Sequence, residues 1–168
     1  KNKFDVDNPD IRFIETVEDL RECARDIRNA AEVCFDVEWD ADEACEGKET
    51  AWHDEARPLC MAISDVTPET PVWVGAESWM PEMVKMLHGK HLVTQNGKGD
   101  INVLAWFYDM KLWDKITGID DTHLWHASLD QGKAGNDLVN MSVQYLVLAN
   151  WKLGVWEQVN LESARRKE

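Results

Sequence analysis

The chain has 168 residues, enough for one domain with a sizeable core, and its 18 lysines and arginines face 32 acidic residues, a formal charge of −14. That acid excess excludes a protein that packs nucleic acid by broad cationic charge. It admits one that meets phosphate through carboxylate-held divalent metal. A content of 44% hydrophobic and 30% charged residues is globular, and the 9 tryptophans outnumber the 2 tyrosines and 4 phenylalanines together. No apolar run approaches the ~18 residues of a membrane span, and no charged-then-apolar leader is present. The first residue is lysine, which suggests a processed chain or a piece of a longer one. Cys23, Cys34, Cys45 and Cys60 form no C-x-x-C pair, which argues against a zinc ribbon or redox motif. Cys34 and Cys60 stand in apolar runs as small hydrophobes, the usage of a cytosolic chain with reduced thiols.

In chain order, the stretch to Phe13 is polar with one short apolar patch and room for an extended segment. Thr16 precedes a helix with acids in its first turn, and Leu20, Cys23, Ala24, Ile27, Ala30 and Ala31 recur at helical steps. Val33 to Trp39 is β-prone with alternating acids, and Asp40 to Pro58 reads as a long acidic loop. Leu59 to Ser64 and Pro71 to Gly75 form a hairpin around Thr67 to Thr70. Trp79 to Leu87 is a helix, with Pro81 at its start and Gly89 at its end. His91 to Asn96 is a fourth strand, Asp100 to Tyr108 a helix and Ile119 to Asp121 a fifth strand; a helix follows over Thr122 to Leu129. Leu138 to Leu146 is a further helix, and Trp151 to Glu168 begins a last one. The order predicts an α/β domain with a mixed five-stranded sheet flanked by helices.

On a strand, Asp36 and Glu38 share one face because side chains repeat every second residue. Adjacent carboxylates repel unless something positive lies between them. Phe35, Val37 and Val33 face the core, so the acids stand at a cleft beside it or on a plain solvated face. Asn96-Gly97-Lys98-Gly99-Asp100 follows a strand and opens a helix, bringing a third carboxylate to a strand's C-terminal end, where α/β sheets bind ligands. Such a set suits Mg²⁺ or Mn²⁺, which prefer oxygen ligands; alternatively the glycines mark a tight turn and Asp100 caps the helix. Asp121 or Thr122 caps the helix that follows the fifth strand.

Taken together, Phe-Asp-Val-Glu at 35–38, Thr-Gln-Asn-Gly-Lys-Gly-Asp-Ile-Asn-Val-Leu at 94–104, Asp-Asp-Thr-His-Leu-Trp-His-Ala-Ser-Leu-Asp at 120–130 and Asn-Asp-Leu-Val-Asn-Met-Ser-Val-Gln-Tyr-Leu at 136–146 resemble the DEDD superfamily of 3′–5′ exonucleases. The resemblance is to the proofreading domain of phage or bacterial family A DNA polymerases, and it covers about Ala31 to Leu146. It implies a ribonuclease H-like fold and a site with two divalent ions, Mg²⁺ or Mn²⁺. Asp36, Glu38 and Asp100 match the first two motifs as catalytic and metal-holding residues, with Asn96, at the head of the second, as a substrate contact. By this likeness Asp36 bridges both ions, Asp100 helps to hold one, and Glu38 binds metal and contacts the terminal 3′-hydroxyl. The family's third motif, Tyr-x-x-x-Asp or His-x-x-x-x-Asp, does not occur in these residues. The chain is therefore expected to be a fragment of a single exonuclease-like domain, lacking the last catalytic helix and a linked polymerase domain, and to cleave slowly.

The resemblance implies as partner the single-stranded 3′ end of DNA, with a ribonuclease D-like RNA exonuclease or a non-catalytic module as alternatives. A phage-encoded or bacterial, nucleoid-associated cytoplasmic setting goes with it. Bases at a frayed end stack on aromatic rings. Trp39, beside the acid pair, is a candidate platform; Trp106, one helical turn from Val103, is expected in the core. Lys98 is either a phosphate contact or an exposed loop lysine. His123 and His126 stay outside the site, and the acidic loop repels duplex DNA.

Overall fold

A computed structural model describes residues 10–40, 57–67, 69–108 and 114–129, with Leu138 and Met141. Strand β1 (Ile11–Ile14) leads into helix α1 (Val17–Arg28), where Thr16 and Asp19 form a reciprocal capping box. The Thr16 hydroxyl accepts the Asp19 N–H, and the Asp19 carboxylate accepts the Thr16 N–H at 2.8 Å, so two otherwise orphaned amides are satisfied. The helix buries Cys23 and Ile27 and ends with Arg25 and Arg28 in its last turn, where cations suit the dipole.

Strand β2 (Glu32–Asp40) pairs antiparallel with β3 (Arg57–Asp65), which pairs antiparallel with β4 (Val72–Ala76). The register sets Phe35 opposite Ile63 and Val37 opposite Met61, all buried on one face. Trp73 joins that layer, and its indole N–H donates to Asp26 of α1 at 2.9 Å. A single turn of 3₁₀ helix (Glu77–Trp79) feeds α2 (Met80–Met86), whose Met80, Met83 and Val84 are fully covered. Pro81 lies in its first turn, and Gly89 beyond its end has φ 75°, which glycine adopts without a Cβ clash. Each buried Ile, Leu or Met of this layer contributes about 1.5–3 kcal/mol of transfer free energy.

The remaining elements are β5 (His91–Thr94), α3 (Lys98–Tyr108), β6 (Gly118–Asp121) and α4 (Thr122–Leu129). All the strands join one mixed sheet in the order β1-β4-β3-β2-β5-β6, with β1·β4, β2·β5 and β5·β6 parallel. Among the described residues the sheet has six strands, not five. The extra one is β1, whose Ile11 and Phe13 are exposed and whose only buried residue is Ile14. An edge strand with one covered residue carries no alternation, and its partner β4 lies some 60 residues downstream.

The expected acidic loop also ends earlier, because Arg57 and Pro58 already belong to β3; residues 41–56 lie outside the described residues. So do the helix expected over Leu138 to Leu146, apart from two residues, and the one begun at Trp151. The chain divides into two compact units, Lys1–Thr122 and His123–Glu168. The first holds the sheet, α1, α2 and α3. In the second, α4 from His123 onward buries His126 and leaves Leu124, Trp125 and Leu129 exposed. Among the described residues no helix is long and apolar enough to cross a membrane.

Candidate active site

Strand β2 runs further than its parallel neighbour. Its pairing with β5 covers Glu32 to Cys34, and beyond that point the Val37 N–H donates to Oδ1 of Asp100 at 2.8 Å. A side chain from the first turn of α3 thus takes over a main-chain donor of the central strand. Asp36 and Glu38 flank Val37 and point to the opposite face from it, opposite Ala62 and Cys60 of β3, and both are solvent-accessible. The sequence expectation that these two acids share one face holds. The tertiary structure adds that Asp100 comes beside them.

Asp100 is only 5% exposed. Burial pushes its carboxyl up to about 6; the Val37 N–H pulls it down, and the charges of Asp36 and Glu38 push it up again. Asp36 is exposed, yet neighbouring atoms desolvate its carboxyl enough to raise it too. The charges that act on Asp100 from β2 are both negative. This oxygen-only donor set fits a hard divalent cation, whose shell is completed by water and phosphate. Asp36, Glu38 and Asp100 are the residues that could hold one. They do not form a closed cage: among the described residues no three His, Cys, Asp or Glu side chains are grouped as ready metal ligands.

The other expected site residues sort less uniformly. Asn96 is exposed, and its backbone takes a left-handed turn with φ 57°. Lys98 is exposed at the first residue of α3. Trp39 follows a register shift in β2 and is half-buried against the core, so only part of its ring is open to a base. Trp106 is 64% exposed, against the expectation of a core role. The buried stripe of α3 is Asp100, Ile101, Val103 and Leu104, and Trp106 lies on the far side of it. Helical spacing from Val103 did not place the ring, because the stripe centres on Asp100 and Leu104 and Val103 lies at its margin.

Three further residues carry more than the sequence suggested. Cys60 stands opposite Glu38, and its thiol is raised first by burial and then by the charges of Glu38 and Asp36. Asp121, expected as a helix cap, places its carboxylate on the turn before α3, where it accepts the N–H groups of Asn96 (2.9 Å) and Gly97 (3.1 Å). The Thr122 hydroxyl donates to the Thr94 carbonyl at 3.0 Å and contacts the Gln95 side chain. An Asp-Thr pair at the strand-to-helix junction was the available signal, but both residues fit simple capping equally well.

No protein-family model and no curated protein matches the sequence. Solved structures do. Escherichia coli RNase D, an exoribonuclease involved in structured RNA processing, superposes with a TM-score of 0.60 at 13% identity, over 82% of this chain and 34% of that one. The catalytic core of RRP6 from Trypanosoma brucei gives 0.65 at 16% identity, over 86% and 37%. Brucella melitensis NrnC with bound Mg²⁺ gives 0.55 at 16%, over 83% and 63%. The chain has their fold. It is the ribonuclease H-like α/β arrangement expected from the sequence, a mixed sheet flanked by helices. The chain spans less than two thirds of each of these proteins.

Proposed function

We propose that the chain is a divalent-metal-dependent 3′–5′ exonuclease that hydrolyses phosphodiester bonds at single-stranded 3′ ends. One observation carries this reading. Asp100 is buried on the open edge of β2, within electrostatic reach of Asp36 and Glu38, in a sheet of ribonuclease H-like order. A buried carboxylate with two further acids in electrostatic reach costs free energy unless a cation offsets the charge. Asp36, Glu38 and Asp100 would hold the cation, and Mg²⁺ in the Brucella neighbour supports that choice. Bound there, divalent ions supply Lewis acidity that activates water and stabilises the departing 3′ oxygen. The protein's own part is to fix the carboxylates: Asp100 by its hydrogen bond to Val37, Asp36 and Glu38 by the pleat of β2.

For the substrate we favour RNA, because the neighbouring E. coli RNase D is an exoribonuclease. The order of the sequence motifs supports a second reading, DNA proofreading beside a linked polymerase domain. A 5′-labelled single-stranded oligonucleotide, as RNA and as DNA, tests both. With Mn²⁺ or Mg²⁺ the expected product is a ladder shortened from the 3′ end, faster on RNA, and absent with chelator or in Asp36→Ala. Undiminished cleavage by Asp36→Ala overturns the exonuclease reading; a preference for DNA transfers it to proofreading.

A further inference from the structure

We propose that Asp121 is a positioning residue for this site, holding the turn from which α3 presents Asp100; the inference rests on the exonuclease reading above. Its two carboxylate oxygens each take one of two successive amides, Oδ1 that of Asn96 and Oδ2 that of Gly97. Successive N–H groups beside a left-handed residue form a concave anion-binding nest, and here a side chain of the same fold fills it. Asn96 at φ 57° is in a conformation that residues with a Cβ adopt at an energetic cost, so the turn needs contacts that favour it. Asp121 supplies two.

The turn is tied to Asp100 by main-chain geometry. The Gly97 carbonyl accepts the Ile101 N–H at 3.0 Å, the bond that opens α3, and Asp100 precedes Ile101. Gly97 is pressed against β5: a Cβ there would lie 2.5 Å from the Thr94 side chain, so the turn cannot shift toward the sheet. On the other side Thr122 holds the Thr94 carbonyl. The end of β6 therefore clasps the end of β5, and the clasp fixes where α3 begins and where its first-turn carboxylate reaches Val37. Asp121 touches neither Asp100 nor β2 through any of these bonds. It acts through the turn.

The test compares wild type, Asp121→Asn, Asp121→Asn with Asn96→Gly, and Asp36→Ala, reading Mn²⁺ binding by calorimetry, oligonucleotide cleavage and circular dichroism. An amide at 121 retains one acceptor and loses the other. The expected result is Mn²⁺ affinity reduced about tenfold or more, as for groups that orient metal ligands, with kcat lowered and KM for the oligonucleotide nearly unchanged. Asn96→Gly should recover part of the lost affinity, because glycine takes a positive φ without support; a purely structural clasp would show no such recovery. The proposal is overturned if Asp121→Asn binds Mn²⁺ as wild type does, or if its loss matches its unfolded fraction and glycine does not restore it. Should Asp121→Asn fail to fold, Asp121→Glu decides: weakened Mn²⁺ binding in a folded protein supports the clasp, and wild-type binding refutes it. If wild type binds no Mn²⁺ and Asp36→Ala changes nothing, the exonuclease reading falls and takes this inference with it.

Discussion

The Asp100 carboxylate accepts the main-chain N–H of Val37 at 2.8 Å, at a place where β2 has outrun its parallel neighbour. One strong acceptor thereby satisfies a strand edge and is itself held within electrostatic reach of Asp36 and Glu38. The arrangement sets catalytic potential against stability, and the two can be separated by substitution.

Asp100→Asn keeps an oxygen for the Val37 N–H and removes the buried charge that Asp36 and Glu38 repel. The metal-free variant should be about 3 kcal/mol more stable than wild type near pH 8, the free energy of a carboxyl raised from 3.8 to about 6. Cleavage should be lost. Urea midpoints at matched m-values measure the first effect, and an equal or lower midpoint would show that repulsion at this site is already relieved.

The pH dependence has a definite sign. Asp100 has its folded carboxyl raised from 3.8 to about 6, so between those values the folded protein binds more protons than the unfolded chain. Stability of the metal-free protein therefore falls as pH rises from about 4 to about 6, by this group's contribution, and levels off above. Cation binding needs the ionised form, so Mn²⁺ affinity should drop on acidification through about pH 6, roughly tenfold per unit for each proton displaced. Calorimetric titrations at pH 5, 6 and 7 check both. A pH-independent Mn²⁺ affinity across that range would contradict the assignment of Asp100 as a ligand.

Asp36 and Glu38 are accessible on one face of β2, and among the described hydrogen bonds neither side chain accepts a main-chain N–H as Asp100 does. Asp36→Ala and Glu38→Ala should thus leave the metal-free fold intact and no less stable, since each also removes a charge that raises the Asp100 carboxyl, while Asp36→Ala abolishes cleavage and Glu38→Ala reduces it by at least about a hundredfold. Single-turnover assays on a 5′-labelled oligonucleotide measure this, with unfolding midpoints as the control.

At the start of α1, Thr16→Ala removes the hydroxyl that accepts the Asp19 N–H and half of the capping box. The cost should be about 1 kcal/mol of stability, with cleavage per folded molecule unchanged. A variant as stable as wild type would mean that solvent caps α1 equally well.

The features that proved legible in the sequence are local ones. The two-residue period of a strand put Asp36 and Glu38 on one face, and the run of Thr16 through Asp19 announced α1. The alternation of strands and helices gave the α/β class, and Pro81 and Gly89 bracketed α2. In each case the deciding interactions span a few residues, so composition and spacing suffice.

What the tertiary structure decided depends on segments brought together across the sheet. Asp100 meets Val37 across 63 residues, and Asp121 meets Asn96 across 25. Nothing in either neighbourhood tells which amide a carboxylate will find, because that follows from strand order and from how far β2 extends past β5. The same holds for β1, a strand only because β4 offers it a parallel partner, and for Trp106, whose exposure depends on which stripe of α3 the sheet covers. The sequence by itself determined the acids and their alternation on β2. The sheet order decided that a third acid would be buried beside them, since only pairing at a distance can move a carboxylate from a helix's first turn onto another strand's open edge.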